Sequence, residues 1–184
     1  MAEDRTPAMR DRGVFWTPSP DWSTARIERK GWSAEPVFGL GQTLVSGDVE
    51  AALDELAPGG AEVGLWGITD TDRVLVRIAR DRALLVTPRP VDLAPGWRQA
   101  GYAVTPCDDA YAVLALKGSG TADLLATAAA ADIEAGSRSA SLLVAGVPAL
   151  LYRVAPDVAR IHVEAPLAAY VWTWLEETAA FLPP

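Results

Sequence analysis

Apolar residues repeat with a helical period in three segments of the chain. The first is 48–57, where Asp48 can accept the free amide hydrogens of the opening turn and four apolar residues share one face. The second runs from Thr121 to about residue 131, and the third begins at Pro166 and leaves Trp172 off its apolar stripe. That stripe consists of Leu167, Tyr170, Val171, Trp174, Leu175 and Leu182. These segments predict three helices.

Between the helical segments, alternating apolar and polar residues predict β-strands. In 73–79, Val74, Val76 and Ile78 alternate with Arg73, Leu75, Arg77 and Ala79, which predicts a half-buried antiparallel strand. The predicted strands are Val63–Ile68, Arg73–Ala79, Ala83–Thr87, Tyr102–Thr105, Tyr111–Lys117, 141–145, 147–154 and 159–164, with a hairpin turn at Ala145-Gly146.

A helix followed by three strands therefore occurs twice, at 48–87 and at 121–164, in element order but not in sequence. This order predicts two related halves, which form either two lobes or one system of sheets. The predicted fold class is α+β, with two small αβββ-type lobes, antiparallel sheets and a C-terminal helix.

Residues 1–35 carry prolines, many charges and no periodicity, yet they include Trp16, Trp22 and Trp32. Disordered tails contain few aromatic residues, so we predict an extended arm over 1–35 that packs on its own domain or on a partner. The domain follows over 36–184, with lobes at about 36–95 and 96–184. Trp16, Trp22, Trp32 and Trp172 are the candidate interface residues, with burial in the core as the alternative reading of Trp172.

Charge and composition narrow the class of protein. The formal net charge is −8, and no basic patch offsets it, which argues against a nucleic-acid partner and against anionic membrane surfaces. No apolar run approaches the length of a membrane span, and the first residues lack the pattern of a signal peptide. The single cysteine excludes an internal disulfide. These features predict a cytoplasmic protein.

Two residues could carry chemistry on their own, and neither has the surroundings that chemistry needs. His162 shares the polar side of its strand with Arg160 and Glu164, so we expect it to be solvated and without a catalytic partner. Cys107 precedes two aspartates, which should raise the pKa of its thiol rather than activate it. One Cys and one His cannot make a zinc site, so neither a catalytic nor a metal-ligating residue is predicted.

The run Gly118-Ser119-Gly120-Thr121 lies between a strand and a helix, where phosphate-binding loops occur. It lacks the lysine of the P-loop and the third glycine of the dinucleotide fingerprint. We therefore read it as a helix cap in which Ser119 and Thr121 satisfy the first amides. The adjacent carboxylates Asp108-Asp109 and Glu176-Glu177 are read as solvated charges, because neighbours in a strand or helix point apart.

The second half of the chain resembles the gamma subunit of heterotetrameric sarcosine oxidase, within the aminomethyltransferase-like (glycine cleavage T-protein-like) folate-binding folds. The resemblance extends from about Ala83 to Phe181. It is carried by Ala83–Pro88, by the strand and helix over 112–126, by Ser139–Leu151 and, most specifically, by Ile161–Leu175, with its Tyr-Val-Trp-Thr-Trp-Leu ending.

This resemblance implies a non-catalytic small subunit that braces the folate-binding region of a larger, alpha-type flavoprotein subunit in an N-demethylating amine oxidase. Flavin and tetrahydrofolate would then belong to the complex, with no cofactor bound by this chain alone. One alternative is a stand-alone folate-binding or one-carbon-transfer protein, whose pocket would use Asp108, Asp109 or Glu164 as its carboxylate. The other is an interaction module with no link to folate.

Overall fold

The structure is a computed structural model that describes residues 19–71 and 73–178. Its strands are β1 (Ile27–Arg29), β2 (Trp32–Val37), β3 (Gly41–Gly47), β4 (Ala61–Val63), β5 (Val74–Ala79), β6 (Arg82–Thr87), β7 (Gly96–Trp97), β8 (Tyr102–Pro106), β9 (Tyr111–Lys117), β10 (Ser141–Val144), β11 (Val147–Ala155) and β12 (Val158–Glu164). Its helices are α1 (Val49–Leu56), α2 (Thr121–Ala128) and α3 (Ala168–Thr178), and a short 3₁₀ turn at Ala165–Leu167 precedes α3.

The described strands form two six-stranded sheets. The first sheet has the order β1-β2-β9-β12-β11-β10 and the second has the order β4-β5-β6-β3-β8-β7. All pairs are antiparallel except β4 and β5, which run parallel. The predicted α+β class with antiparallel sheets and a C-terminal helix is confirmed.

The two sheets pack face to face, and helices cover their outer faces. Tyr152 and Leu150 of the first sheet meet Val74, Val76 and Leu84 of the second in the core between the sheets. A second core lies under α1, and a third core lies under α2 and α3. The layers are therefore helix, sheet, sheet and helix.

This layering corrects the prediction for the middle strand of the first half. Val74 and Val76 face the other sheet, while Leu75 faces α1, so β5 is buried on both faces rather than half-buried. The preceding strand lies earlier than the predicted Val63–Ile68, since β4 covers Ala61–Val63. Trp66 has a left-handed backbone, with φ of 59°, which breaks the extended run toward Ile68.

Local signals placed the cap of α1 and the β10–β11 hairpin correctly, whereas β1, β2, β3 and β7 were not predicted. Asp48 caps α1 by accepting from the Ala51 amide at 2.9 Å, as predicted. The hairpin between β10 and β11 turns at Ala145 and Gly146, with φ of 51° and 81°. Two left-handed residues in a two-residue loop are typical of the type I′ turn, which matches the twist of the flanking strands.

The closing helix faces the first sheet with part of the predicted stripe, since Val171 and Leu175 are in the core and Leu167 and Trp174 pack against it. Ala168, Val171, Trp172 and Leu175 are buried, whereas Tyr170 is exposed and its hydroxyl donates to the Ala145 carbonyl at 3.0 Å. Trp172 rather than Tyr170 therefore contributes to the core. Leu182 of the predicted stripe lies outside the described residues.

The described part of the predicted arm contributes to the first sheet. Residues 27–29 and 32–37 form β1 and β2, and β2 pairs with β9 across five residue pairs. The segment before β1 contributes Trp22, which packs against the core under α2 and α3. The N-terminal residues are thereby part of the folded sheet from Ile27 onward.

Candidate functional site

A buried polar cluster lies between the two sheets and contains the chain's one histidine. His162, on β12, is 0% exposed, so the expectation of a solvated histidine is wrong. The second sheet covers the side of β12 that the sequence pattern marked as polar. His162 contacts two polar partners there: Gln42 of β3 and Tyr152 of β11.

The hydrogen bonds of Gln42 fix the state of the imidazole. The side-chain nitrogen Nε2 of Gln42 donates to the backbone carbonyls of Asp108 and Tyr111, both at 3.0 Å, which directs Gln42 Oε1 toward His162. His162 Nδ1 therefore carries the proton and donates to Gln42 Oε1 at 2.8 Å. Its Nε2 is then free to accept from the Tyr152 hydroxyl at 3.2 Å. The cluster is satisfied with a neutral histidine.

Burial keeps this histidine neutral. Removal from water, together with the nearby charge of Arg160, lowers the pKa of His162 to about 3. Burial also raises the pKa of Tyr152. At neutral pH both groups therefore stay uncharged, and their enclosed side chains join the two sheets.

Gln42 also ties together the two places where the chain passes from one sheet to the other. Residues 38–40 connect β2 to β3, and residues 107–110 connect β8 to β9. In addition to these side-chain bonds, the backbone N–H of Gln42 donates to Asp108 Oδ1 at 2.5 Å, and the backbone carbonyl of Gln42 accepts from the Cys107 N–H at 2.8 Å. One buried residue therefore fixes both connections.

A groove of about 380 Å³ opens at these connections, and we call it the crossover groove. Its lining residues come from five separate parts of the chain. They are Trp22, Pro36, Val37, Phe38, Gly39, Leu40, Gln42, Pro90, Asp108, Asp109, Tyr111, Ala112, Val113, Leu114, Ala165 and Ala168. The walls are mainly apolar, and two of the three carboxylates that the sequence suggested lie in them.

The three predicted carboxylates differ in their surroundings. Asp108 is half-buried and bonded to Gln42, whereas Asp109 is exposed at the rim of the groove. Glu164 is exposed at the end of β12 and is not among the residues that line the groove. Nearby Tyr111 has a raised pKa, first because it is partly buried and then because of the charges at Cys107 and Glu164.

The other sequence candidates are Cys107 and the run before α2. Burial raises the pKa of the Cys107 thiol, and Asp108 raises it further, in the predicted direction. The run before α2 caps the helix differently from the prediction. Gly120 occupies the cap position without a side-chain bond, its N–H donates to the Gly31 carbonyl at 2.9 Å, and the buried Thr121 hydroxyl has no partner. Close packing of two backbones therefore replaces the expected capping hydroxyls.

The predicted interface tryptophans lie in or against the core of the described chain. Trp32 and Trp172 are 6% and 2% exposed, and Trp22 packs edge-on against Trp172 with ring centroids 5.7 Å apart. The Trp172 indole N–H donates to Glu176 at 2.9 Å. Trp16 lies outside the described residues. The contact of these residues with a partner stays a prediction.

A second polar cluster lies on the opposite side of the second sheet. The buried Arg77 of β5 pairs with Glu62 of β4 and, at 3.1 Å, with Glu50 of α1. The exposed Arg138 approaches the same two glutamates, at 3.3 and 3.7 Å. These ion pairs hold α1 and the segment before β10 to the edge of the second sheet.

Within the described residues, no group of three or more His, Cys, Asp or Glu side chains is arranged to hold a metal ion. Across the same residues, none of the helices combines the length and apolar character needed to cross a membrane.

Comparison with known proteins identifies the fold. No protein-family model matches the sequence, and no curated protein matches it. Among solved structures, the chain is similar to a chain of the heterotetrameric sarcosine oxidase from Corynebacterium sp. U-96, which was solved in complex with pyrrole 2-carboxylate. The TM-score is 0.66 at 20% identity, over 84% of this chain and 87% of that chain.

The nearly equal coverage means that the two chains are similar in length and align over most of both. At this identity the likeness shows a shared fold, and the resemblance in the sequence is supported at that level. The class defined here is thus a helix-covered pair of antiparallel sheets of the kind found in a chain of sarcosine oxidase.

Proposed function

We propose that this chain is a non-catalytic, gamma-type small subunit of a heteromeric amine oxidase of the sarcosine oxidase kind. The observation that carries the proposal is the fold shared with a chain of a heterotetrameric oxidase over most of both chains. In this proposal the larger, alpha-type subunit holds the flavin and the tetrahydrofolate, and the amine is N-demethylated there. This chain braces the folate-binding region of that subunit in the cytoplasm.

The state of the chain's own reactive groups supports the non-catalytic part of the proposal. Catalytic acids and bases need a pKa near the working pH and access to substrate. His162 has neither, because it is enclosed between the sheets and bonded on both ring nitrogens. The thiol of Cys107 has a raised pKa, whereas nucleophilic cysteines have a lowered one.

The proposal is tested by capture of the complex from the native cells. A tagged full-length chain is used as bait under gentle conditions, and the eluate is analysed by mass spectrometry and visible absorption. We expect a larger partner that brings flavin absorption at about 450 nm, because the flavin carries the oxidation chemistry. We also expect amine-dependent oxidase activity in the eluate and none from the purified chain. An eluate without flavoprotein contradicts the proposal.

A stand-alone folate-binding protein is the second candidate, and one observation favours it. The crossover groove has a volume within the range of small-molecule pockets, apolar walls and the carboxylates of Asp108 and Asp109. Asp108 already accepts from the Gln42 N–H, which leaves Asp109 as the group available to a ligand. Calorimetric titration of the purified chain with tetrahydrofolate tests this candidate, and binding by the isolated chain would favour it over the subunit.

A further inference from the structure

The crossover groove combines an exposed aromatic side chain with a floor that the fold holds in place. Phe38 is 66% exposed, although it lies in the wall of an apolar groove. The neighbouring Gly39 has φ of 75°, so the chain turns sharply there and keeps Phe38 at the rim. The floor does not need to rearrange to receive a ligand, because Gln42 fixes both connections beneath it. Interface hot spots are typically aromatic side chains beside such preformed pockets.

The charges of the groove have one sign. Its lining includes Asp108 and Asp109 and contains no Lys, Arg or His. Asp109 is exposed, and the whole chain carries a formal net charge of −8. A partner surface that enters the groove must therefore supply apolar side chains for the walls and a cation for the rim.

We propose that the crossover groove is the docking site for a segment of the larger subunit that carries an apolar side chain next to a lysine or arginine. This inference rests on the proposed function, since the larger subunit is the partner named there. The apolar side chain packs against Phe38 and the groove walls, and the cation pairs with Asp109. A second copy of this chain fits less well, because two such acidic rims would repel each other.

The experiment compares matched variants of the full-length chain in the capture assay. Phe38→Asp introduces a charge into the groove, and Trp97→Asp makes a similar change at an aromatic that is 71% exposed on β7 and does not line the groove. In competition with the wild-type chain for the flavoprotein, we expect Phe38→Asp to bind about 30-fold more weakly. We expect Trp97→Asp to bind like the wild type. Circular dichroism confirms that both variants are folded.

The charge of the rim is tested separately. Asp109→Lys should weaken capture at low salt, and the loss should shrink as salt is added, because an exposed ion pair is screened. Asp54→Lys, an equal change of charge on the exposed side of α1, is the control. A photo-crosslinking phenylalanine at position 38 then identifies the occupant. We expect it to attach to a peptide of the larger subunit with a basic residue beside an apolar one.

The outcomes separate the two proposals. If wild-type chain captures no flavoprotein, both the proposed function and this docking site are wrong. If the flavoprotein is captured but Phe38→Asp competes as well as Trp97→Asp, the docking site is wrong and the proposed function stands. A crosslink at position 38 to a second copy overturns the docking site. Tetrahydrofolate binding to the isolated chain that Asp109→Asn abolishes also overturns it.

Discussion

Lowering the pH from 7.5 to 5 is expected to destabilise this fold, chiefly through His162. The pKa of His162 is about 3 in the folded chain, against an ordinary value of 6.5. Between these two values the unfolded chain binds a proton at this residue and the folded chain does not. The contribution of His162 to the free energy of unfolding is therefore complete above about pH 6.5, falls as the pH drops toward 3, and stays constant below about pH 3.

The magnitude follows from the pKa difference. In the linear part of the window, one histidine of this kind costs about 1.4 kcal/mol of unfolding free energy per pH unit. At pH 5 the accumulated loss is about 2 kcal/mol, a large share of the stability of an ordinary domain. The chain has one histidine, and carboxylates titrate mostly at lower pH. The change in unfolding free energy between pH 7.5 and 5 therefore comes mainly from His162.

Urea unfolding at several pH values between 7.5 and 5, followed by tryptophan fluorescence, measures the effect. The comparison is His162→Gln, whose amide can donate to Gln42 and accept from the Tyr152 hydroxyl but does not titrate. We expect the wild type to lose about 2 kcal/mol more than the variant over this range. Equal pH dependence in the two proteins would refute the reasoning, as would an NMR titration of folded His162 with a midpoint near 6.5.

Four further substitutions, one of them a control, test the packing of the fold by chemical denaturation. Gln42→Ala leaves the buried His162 N–H without an acceptor and should lower the free energy of unfolding by about 2–3 kcal/mol. A loss below about 0.5 kcal/mol, which is typical of a surface substitution, would contradict the role given to Gln42. Gly118→Ala should cost about 3 kcal/mol, since its φ is 113° and a Cβ would lie 2.3 Å from the Gly31 carbonyl oxygen. Gly146→Ala, with φ of 81° and open space around it, should cost about 1 kcal/mol, so equal losses would disprove the clash. Trp172→Ala should cost about 4 kcal/mol, and a smaller loss than for Gly146→Ala would show that Trp172 is not a core residue.

Local signals in the sequence were enough for the elements that depend on neighbours in the chain. The hairpin at Ala145-Gly146, the cap at Asp48 and the strand Tyr111–Lys117 lie where the pattern placed them. Each is decided within a few residues, by turn chemistry, capping or alternation. The fold class followed from the order of these elements.

The state of His162 could not be predicted in this way, because its surroundings come from distant parts of the chain. Alternation showed correctly that His162 and Ile161 face opposite sides of β12, and the error was to take the side of His162 for solvent. That side is covered by the second sheet, and the acceptor for its Nδ1–H is Gln42, 120 residues earlier. A lone glutamine within the buried strand β3 was the available signal, since a buried amide needs partners.

The crossover groove could not be predicted from the sequence pattern for a related reason. The repeated order of a helix and three strands suggests that each repeat builds its own sheet, and β4–β6 and β10–β12 do so, but strands outside the repeats are exchanged between the two sheets. Strand β2 joins the later strands of the first sheet, while β7 and β8 join the earlier strands of the second. The connections that this exchange requires are the two walls of the groove, and Gln42 locks them together. The same exchange thus places Phe38 and Asp109, 71 positions apart in the sequence, on one rim, where a single partner segment can contact both.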